Sequence, residues 1–275
     1  MSLLKPKNSS FSERDLEFLA ETVAPEAKDK LRVRQILRED EDFRSAAISE
    51  ERAFQRVMDD DEMFLKISPA LFFEILLRKA ARDLQGLGYT VEKNRTMKIP
   101  VFDSQEVVEL LSEESLLSYL ADMLSSFTKI ESYAISFRVR EGVWKKIQFN
   151  DLDIHSLMGL HEVVEDEFRL GFYKRIADIC LFILGIFPDY AERDYRYPFS
   201  KALRPEFQGK VRISPEDYEK EGRKFYKFAA EHQSAKELEL SEVFYALHRS
   251  FQSARKPLNF IAEHYLLPKK HRFFV

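Results

Sequence analysis

The chain has 275 residues, of which 45% are hydrophobic and 33% charged, and its formal net charge is −4. This composition supports a full-sized core beneath a charged surface, in one large or two modest domains. With 8 glycines and 10 prolines, the sequence is poor in the turn residues that all-β folds and glycine-rich phosphate-binding folds need. The single cysteine, Cys180, excludes an intrachain disulfide and a cysteine-based zinc site.

The amino-terminal residues MSLLKPKNSSFSERD contain no apolar run followed by a small-residue cleavage site. They predict no secretory signal, and we expect a reducing, cytoplasmic location. Phenylalanine is abundant at 24 residues, with 11 tyrosines. Aromatic content at this level indicates large helix–helix contacts or apolar surface that meets a partner.

The first part of the chain is acidic and helical. Ser12 with Asp15 forms a capping box for a helix from Glu13 to about Val23, and Pro25 suits the first turn of a second helix that reaches Leu37. An acidic break follows at 38–43. Ser49 is then a predicted N-cap for a helix that ends in acidic residues.

Residues 1–62 carry 11 Lys and Arg against 16 Asp and Glu. We therefore expect an acidic helical lobe at 1–66 and a main helical domain at 67–275, or one continuous domain.

The clearest helix start is Ser68-Pro69, an N-cap residue followed by proline at the first helical position. Apolar residues then recur at helical spacing until Gly86 and Gly88 end the helix. Residues 89–102 are predicted to be extended, because Pro100 disfavours a helix there.

Two helices follow, at 104–111 and 113–127. The best strand signals in the chain come next, at 134–139 and 143–149. A lone hairpin is marginal in water. We expect this one to pack on a helix or to gain a third strand from 98–101.

Leu157, Leu160, Val164 and Phe168 share one helical face and predict a continuous helix that includes 161–165. The next segment, 170–187, is uncharged from Ile179 to Phe187. Nine apolar residues are too few to cross a bilayer, so a buried central helix is predicted instead.

The remaining predicted elements are a long loop at 188–213, a helix that starts at Ser214-Pro215, and a final helical pair at 241–254 and 257–267. Phe273 to Val275 are apolar and are expected to dock on their own domain or on a second subunit, or else to fray.

Asp178 is the most specific candidate for a functional group, because an acid among apolar residues is costly unless it is paired. Lys174 and Arg175 lie one turn before it. One reading is an ion pair at the edge of the core. The other is a ligand-binding pocket formed by Asp178, Arg175 and Lys174, with Arg175 binding an anion. Cys180 is interpreted as a small buried hydrophobe.

His161 and Glu165, in the segment HEVVE, are candidate metal ligands one helical turn apart. The second histidine of a zincin motif is replaced by Glu165, and the alternative is a solvated acidic helix face. No cofactor is predicted, because the sequence contains no glycine-rich nucleotide-binding or nucleophile-elbow motif.

The carboxy-terminal third is basic, with 17 Lys and Arg against 11 Asp and Glu in residues 193–275. Basic and aromatic residues together are typical of nucleic-acid contacts. The candidates for contact with nucleic acid or another anion are Arg193, Arg196, Tyr197, Arg223, Lys224, Lys269 and Lys270. Pairing of this basic part with the acidic lobe, within a chain or between chains, is the favoured alternative.

The predicted fold is mainly α, a multi-helix orthogonal bundle around a buried central helix at about 170–187, with a small antiparallel β-hairpin near 133–150. The leading functional hypothesis is a non-enzymatic cytoplasmic protein that acts through protein–protein contacts, as a homodimer and without a membrane span. The alternatives are an enzyme or a small-ligand or metal-binding protein with a pocket near Asp178 and His161, and nucleic-acid binding through the carboxy-terminal third.

Overall fold

A computed structural model describes residues 11–60, 62–94, 97–129, 132–140, 143–150, 153–189, 214–267 and 273–274. The predicted loop at 188–213 lies outside these residues apart from 188 and 189. The described residues form fourteen helices and four strands, so the prediction of a mainly α fold with a small hairpin is confirmed. The orthogonal arrangement of the bundle stays a prediction.

The elements in chain order have the following bounds. The first eight helices and the first hairpin are α1 Glu13–Val23, α2 Lys30–Glu39, α3 Glu41–Ile48, α4 Glu51–Asp59, α5 Met63–Lys66, α6 Pro69–Leu87, β1 Thr90–Asn94, β2 Met97–Val101, α7 Ser104–Ser112 and α8 Glu114–Ser126. The later elements are β3 Ser132–Arg140, β4 Val143–Asn150, α9 Ile154–Leu160, α10 Asp166–Ile186, α11 Pro215–Glu231, α12 Gln233–Glu237, α13 Ser241–Arg249 and α14 Phe251–His264.

The helix starts that the sequence marks with serine are confirmed. Ser12 and Asp15 form the predicted capping box of α1. Ser68 accepts a hydrogen bond from the backbone N–H of Leu71 at the start of α6, and Ser214 accepts one from Asp217 at the start of α11. Gly88 ends α6 in the left-handed conformation, with φ 74°, which glycine adopts without a steric penalty.

Several predicted helix boundaries are wrong. The second helix starts at Lys30 with Asp29 as its N-cap, so Pro25 precedes the helix and does not lie in its first turn. The predicted break at 38–43 is present but shorter, because Asp40 alone separates α2 from α3 and caps the start of α3. Ser49 ends α3 and does not cap α4. In each case a nearby acidic residue supplies the acceptor or charge that the start of a helix needs.

The last helical pair also differs from prediction. The final helix runs through Pro257 and starts at Phe251. A proline inside a helix costs about 3 kcal/mol. Phe251, Leu258 and Ile261 are all buried on α14, and we attribute the survival of this helix to their packing.

The contacts of the chain define two compact units. Among the described residues, the amino-terminal unit contains those from 11 to 126 and 263–267, and the carboxy-terminal unit contains those from 127 to 262 together with 273–274. Residues 66 and 67, where the sequence predicts a boundary, both belong to the amino-terminal unit. The acidic lobe as a separate folding unit stays a prediction.

The amino-terminal unit is organised around α6, which packs on α7 and α8 and contacts α3 and α4. Its core includes edge-to-face contacts among Phe64, Phe72 and Phe73. The buried carboxylate of Asp15 accepts hydrogen bonds from the backbone N–H groups of Ser12 and Ser68. One side chain therefore fixes the start of α1 against the start of α6.

The carboxy-terminal unit is organised around α10, which packs most extensively on α11. Its helix is buried along most of its length, as the prediction of a central helix requires. Phe182 stacks on Phe127 at 4.0 Å between ring centroids and makes an edge contact with Phe274 at 5.0 Å. The apolar tail was expected to dock on its own domain or on a second subunit, and the structure shows Phe274 packed on its own unit.

Each of the two β-hairpins is a separate two-stranded antiparallel sheet. The hairpin predicted near 133–150 is present as β3 and β4. The expectation that 98–101 adds a third strand to it is wrong, because β2 pairs with β1 instead, from Thr90 opposite Val101 to Asn94 opposite Met97.

Candidate functional site

Asp178 lies in the middle of α10 and is fully buried, with 0% of its surface exposed. Its Oδ2 is 2.6 Å from Nζ of Lys174, one helical turn earlier. The pairing that the spacing of these residues indicates is therefore present. The lysine side chain lies at the edge of the core, where a long aliphatic stem can bring its ammonium group to a buried acid.

The second oxygen of Asp178 is bound by a residue that the sequence did not connect with Asp178. The phenol hydroxyl of Tyr226, on α11, donates a hydrogen bond to Oδ1 of Asp178 at 2.9 Å. Tyr226 is itself fully buried. A tyrosine on the apolar face of a helix predicts a polar partner in the core, because a buried phenol hydroxyl usually finds a hydrogen-bond partner.

This geometry favours a structural role for Asp178. Each carboxylate oxygen has a donor, one from a cation and one from a neutral hydroxyl, so the charge is compensated within the core. The arrangement joins α10 to α11 through polar groups within a contact whose buried residues are mostly apolar. The alternative role of these residues as a ligand pocket stays a prediction.

Arg175 is also buried, at 5% exposed. Its guanidinium carbon lies 4.0 Å from the centre of the Phe127 ring, a close cation–π contact. The predicted role of Arg175 in anion binding stays a prediction. Cys180 is fully buried, and burial raises the pKa of its thiol well above the usual value, which fits the interpretation as a small hydrophobe.

The predicted continuous helix through His161 and Glu165 is wrong. His161 ends α9, a turn occupies 161–164, and Glu165 is the N-cap residue of α10. The acidic residues Asp166 and Glu167 lie in the first turn of α10, where negative charge is favourable and promotes a new helix start. His161 and Glu165 therefore do not lie one turn apart on the surface of one helix, which was the geometry expected of a metal site.

The ring of His161 packs among aromatic side chains. Its centroid lies 5.6 Å from that of Tyr173 and 5.2 Å from that of Phe225, both in edge contacts. Burial lowers the pKa of His161 below 6.5. Glu165 is exposed. In the part of the chain that the structure describes, no group of three or more potential ligand side chains is arranged to hold a metal ion; His161 and Glu165 as metal ligands stay a prediction.

Two of the predicted nucleic-acid contacts, Arg223 and Lys224, lie on an exposed face of α11. Each has an acidic neighbour on the same helix, Glu219 at 3.9 Å and Glu221 at 3.1 Å. Such pairs are typical of a solvated helix. The other predicted contacts, Arg193, Arg196, Tyr197, Lys269 and Lys270, lie outside the described residues. Within the described residues no helix is both long and apolar enough to cross a membrane.

The most exposed apolar surface lies on the β1–β2 hairpin, which the sequence marked only as extended. Phe102 is 85% exposed and Val91 39% exposed. The register pairs Val91 with Pro100, and the rings of Tyr89 and Phe102 meet at 6.4 Å. We call Tyr89, Val91, Pro100 and Phe102 the hairpin face. Thr90, between two of these residues, is buried, as strand alternation requires.

Comparison of the chain with known protein families, with curated proteins and with solved structures finds no match.

Proposed function

We propose that this protein is a non-enzymatic helical protein of a reducing, cytoplasmic compartment that acts through contact with another protein chain, in the first place a second copy of itself. The observation that supports this function best is the hairpin face. An aromatic ring that is 85% exposed, beside other apolar side chains of the same face, is unfavourable in water unless a partner covers it.

The pairing of the buried Asp178 carboxylate also supports a non-enzymatic role. A catalytic acid is expected to face a cleft with its charge directed at a substrate. Asp178 is instead fully buried between Lys174 and Tyr226.

The size of the face sets the strength expected of the contact. Stable interfaces bury about 800 Å² on each partner, and smaller contacts belong to weak or transient complexes. The hairpin face consists of a few side chains, so it serves as the apolar centre of an interface of which the surrounding polar residues form the rim.

The experiment is a measurement of molar mass on the full chain by sedimentation equilibrium, over a range of protein concentration. We expect a concentration-dependent dimer, which Phe102→Ser weakens by about tenfold or more. Leu65, on α5 of the same unit, is 77% exposed and does not belong to the hairpin face, so Leu65→Ser is the matched control and should leave the dimer intact. A monomer at every concentration would contradict self-association, and equal effects of the two variants would remove the hairpin face from the interface.

A further inference from the structure

The β1–β2 ladder has a defined alternation of hydrogen bonding. Pro100, opposite Val91, has no backbone N–H. An antiparallel pair that exchanges two hydrogen bonds needs an N–H on both residues, so Val91 and Pro100 occupy a non-hydrogen-bonded position. The pairs on either side, Thr90 with Val101 and Glu92 with Ile99, are then the hydrogen-bonded ones.

This alternation decides which backbone groups point away from the ladder. On β1 the outward N–H and C=O groups belong to Val91 and Lys93. On β2 they belong to Lys98 and Pro100, and Pro100 supplies no donor. Among the described residues, no backbone hydrogen bond outside the ladder involves 90–94 or 97–101.

The two edges of this sheet therefore differ. A proline on an edge strand is one of the devices that prevent another strand from pairing there. The β2 edge is protected in this way, whereas the β1 edge keeps both of its outward donors. An open edge beside an exposed apolar face is a surface for strand addition.

We infer that β1 pairs antiparallel with β1 of a second copy, which joins the two hairpins into one four-stranded sheet across a two-fold axis. This inference rests on the proposed function, because it specifies how the self-association occurs. An isologous contact of this kind closes with two copies and leaves no further edge of the same type.

The charges of β1 select the register. With the axis at Glu92, two carboxylates would stand directly opposite each other, which is unfavourable. With the axis at Val91, the outward groups of Val91 pair with those of its own equivalent. Lys93 then stands opposite Tyr89 of the other copy, and Glu92 opposite Thr90, so no like charges meet. This register is the one that we assign.

The same register extends the hairpin face across the axis. Val91 and Pro100 of one copy continue into Val91 and Pro100 of the other, forming an apolar row through the middle of the joined sheet.

Two proline variants test the edge directly. Val91→Pro removes an outward donor from the β1 edge, and Lys98→Pro removes one from the β2 edge. Both positions lie outside the hydrogen-bonded pairs, so each variant keeps the hydrogen bonds of its own hairpin. The two-fold contact loses two hydrogen bonds in Val91→Pro, and we expect its dimer to dissociate about thirtyfold more easily. Lys98→Pro should remain within about threefold of the wild type.

A second measurement covers the possibility that a proline variant unfolds the hairpin. Amide hydrogen exchange of the wild-type full chain is followed by NMR at low and high protein concentration. We expect the N–H groups of Val91 and Lys93 to gain protection at high concentration, while that of Lys98 does not change.

The outcomes separate this inference from the proposed function. A wild-type dimer that Val91→Pro leaves unchanged would overturn β1 pairing while self-association stands. Protection of Val91 and Lys93 in a monomer would show that β1 is covered by the same chain, which also overturns it. A wild type that is monomeric with unprotected Val91 and Lys93 would contradict both. Loss of the dimer in Val91→Pro alone, with concentration-dependent protection of Val91 and Lys93, would establish the pairing.

Discussion

The hydroxyl of Tyr226 and the carboxylate of Asp178 meet in the core of the carboxy-terminal unit, 2.9 Å apart in space and 48 residues apart in sequence. Neither group is exposed. The bond joins α11 to α10 and leaves Lys174 to bind the other carboxylate oxygen at 2.6 Å. A buried acid that is compensated from two helices depends on both donors.

Tyr226→Phe should therefore destabilise the protein, because it removes a donor from a buried carboxylate and leaves the ring in place. The expected decrease in the free energy of unfolding is about 1–3 kcal/mol. Urea denaturation of the wild type and the variant measures it. Tyr245→Phe, on a half-buried tyrosine of α13, is the control and should change stability by less than about 0.5 kcal/mol. Equal stability of Tyr226→Phe and wild type would show that this bond contributes nothing.

Gly222→Ala should destabilise the contact between α11 and its neighbours. A Cβ at this position would lie 2.5 Å from a ring carbon of Phe251 and 2.9 Å from Cβ of Cys180. Overpacking of this kind costs about 1–3 kcal/mol. In Gly159→Ala, by contrast, the added methyl meets nothing within 4 Å, and the helix α9 should gain up to about 1 kcal/mol. Thermal unfolding of both variants tests these opposite changes in stability. A Gly222→Ala variant as stable as the wild type would contradict the close packing of Gly222 on Phe251 and Cys180.

Arg78→Leu should destabilise the amino-terminal unit strongly. The guanidinium of Arg78 lies 2.8 Å from Glu74, which is buried, and also bonds to Glu114 and Ser45. Removal of the cation leaves Glu74 as an uncompensated buried charge, at a cost of about 3–5 kcal/mol. Arg82→Leu, one turn later, is the matched control. Arg82 makes only a loose contact, with its guanidinium 3.8 Å from Glu51, so the expected effect is below about 1 kcal/mol.

The pH dependence of Arg78→Leu provides a further check. Burial already raises the pKa of Glu74 above 4.5 in the wild type, although Arg78 opposes this. Without Arg78 the pKa of Glu74 rises further, and protonation below it removes the uncompensated charge. The loss of stability in the variant should thus be smaller at pH 5 than at pH 7. A loss that is the same at both pH values would show that Glu74 is not the group left uncompensated.

His161 should make the protein less stable on acidification. Burial lowers its pKa below 6.5, Lys224 and Arg169 add to the effect, and Glu162 opposes it. Between the lowered pKa and 6.5 the unfolded chain binds more protons than the folded one, so the free energy of unfolding falls as the pH falls through 6.5. His161→Asn should flatten this slope in urea titrations from pH 8 to pH 5. Parallel curves for the wild type and the variant would contradict it.

Features that depend on neighbouring residues could be predicted from the sequence, and those that depend on distant ones could not. Ser68-Pro69 and Ser214-Pro215 mark helix starts through their own side chains, and Lys174 reaches Asp178 within one helical turn. Tyr226 reaches Asp178 only because α11 packs on α10, and nothing in the spacing of the two residues indicates that packing. Sequence patterns report local geometry, and sites assembled from separate helices require the tertiary fold.

The β1–β2 hairpin and the turn at 161–164 were misjudged for two different physical reasons. The sequence between Asn94 and Met97 contains no glycine, so the strongest hairpin signal is missing. Residues 98–101 were therefore expected to pair with the later hairpin and not with β1. At 161–164 the apolar periodicity of Leu157, Leu160 and Val164 continues across the end of α9. The acidic first turn of α10 outweighs that periodicity.

The position of Phe274 has a consequence for the way in which the protein is made. Phe274 packs on Phe182 and Phe187 in the carboxy-terminal unit, and Tyr265 donates a hydrogen bond to Asp83 in the amino-terminal unit. Domains usually fold in order as they leave the ribosome. Here both units take residues from the last part of the sequence, so the amino-terminal core is complete only after residues 263–267 have been made, and the carboxy-terminal core only after Phe274. The nascent chain must keep two unfinished cores from aggregating during its synthesis.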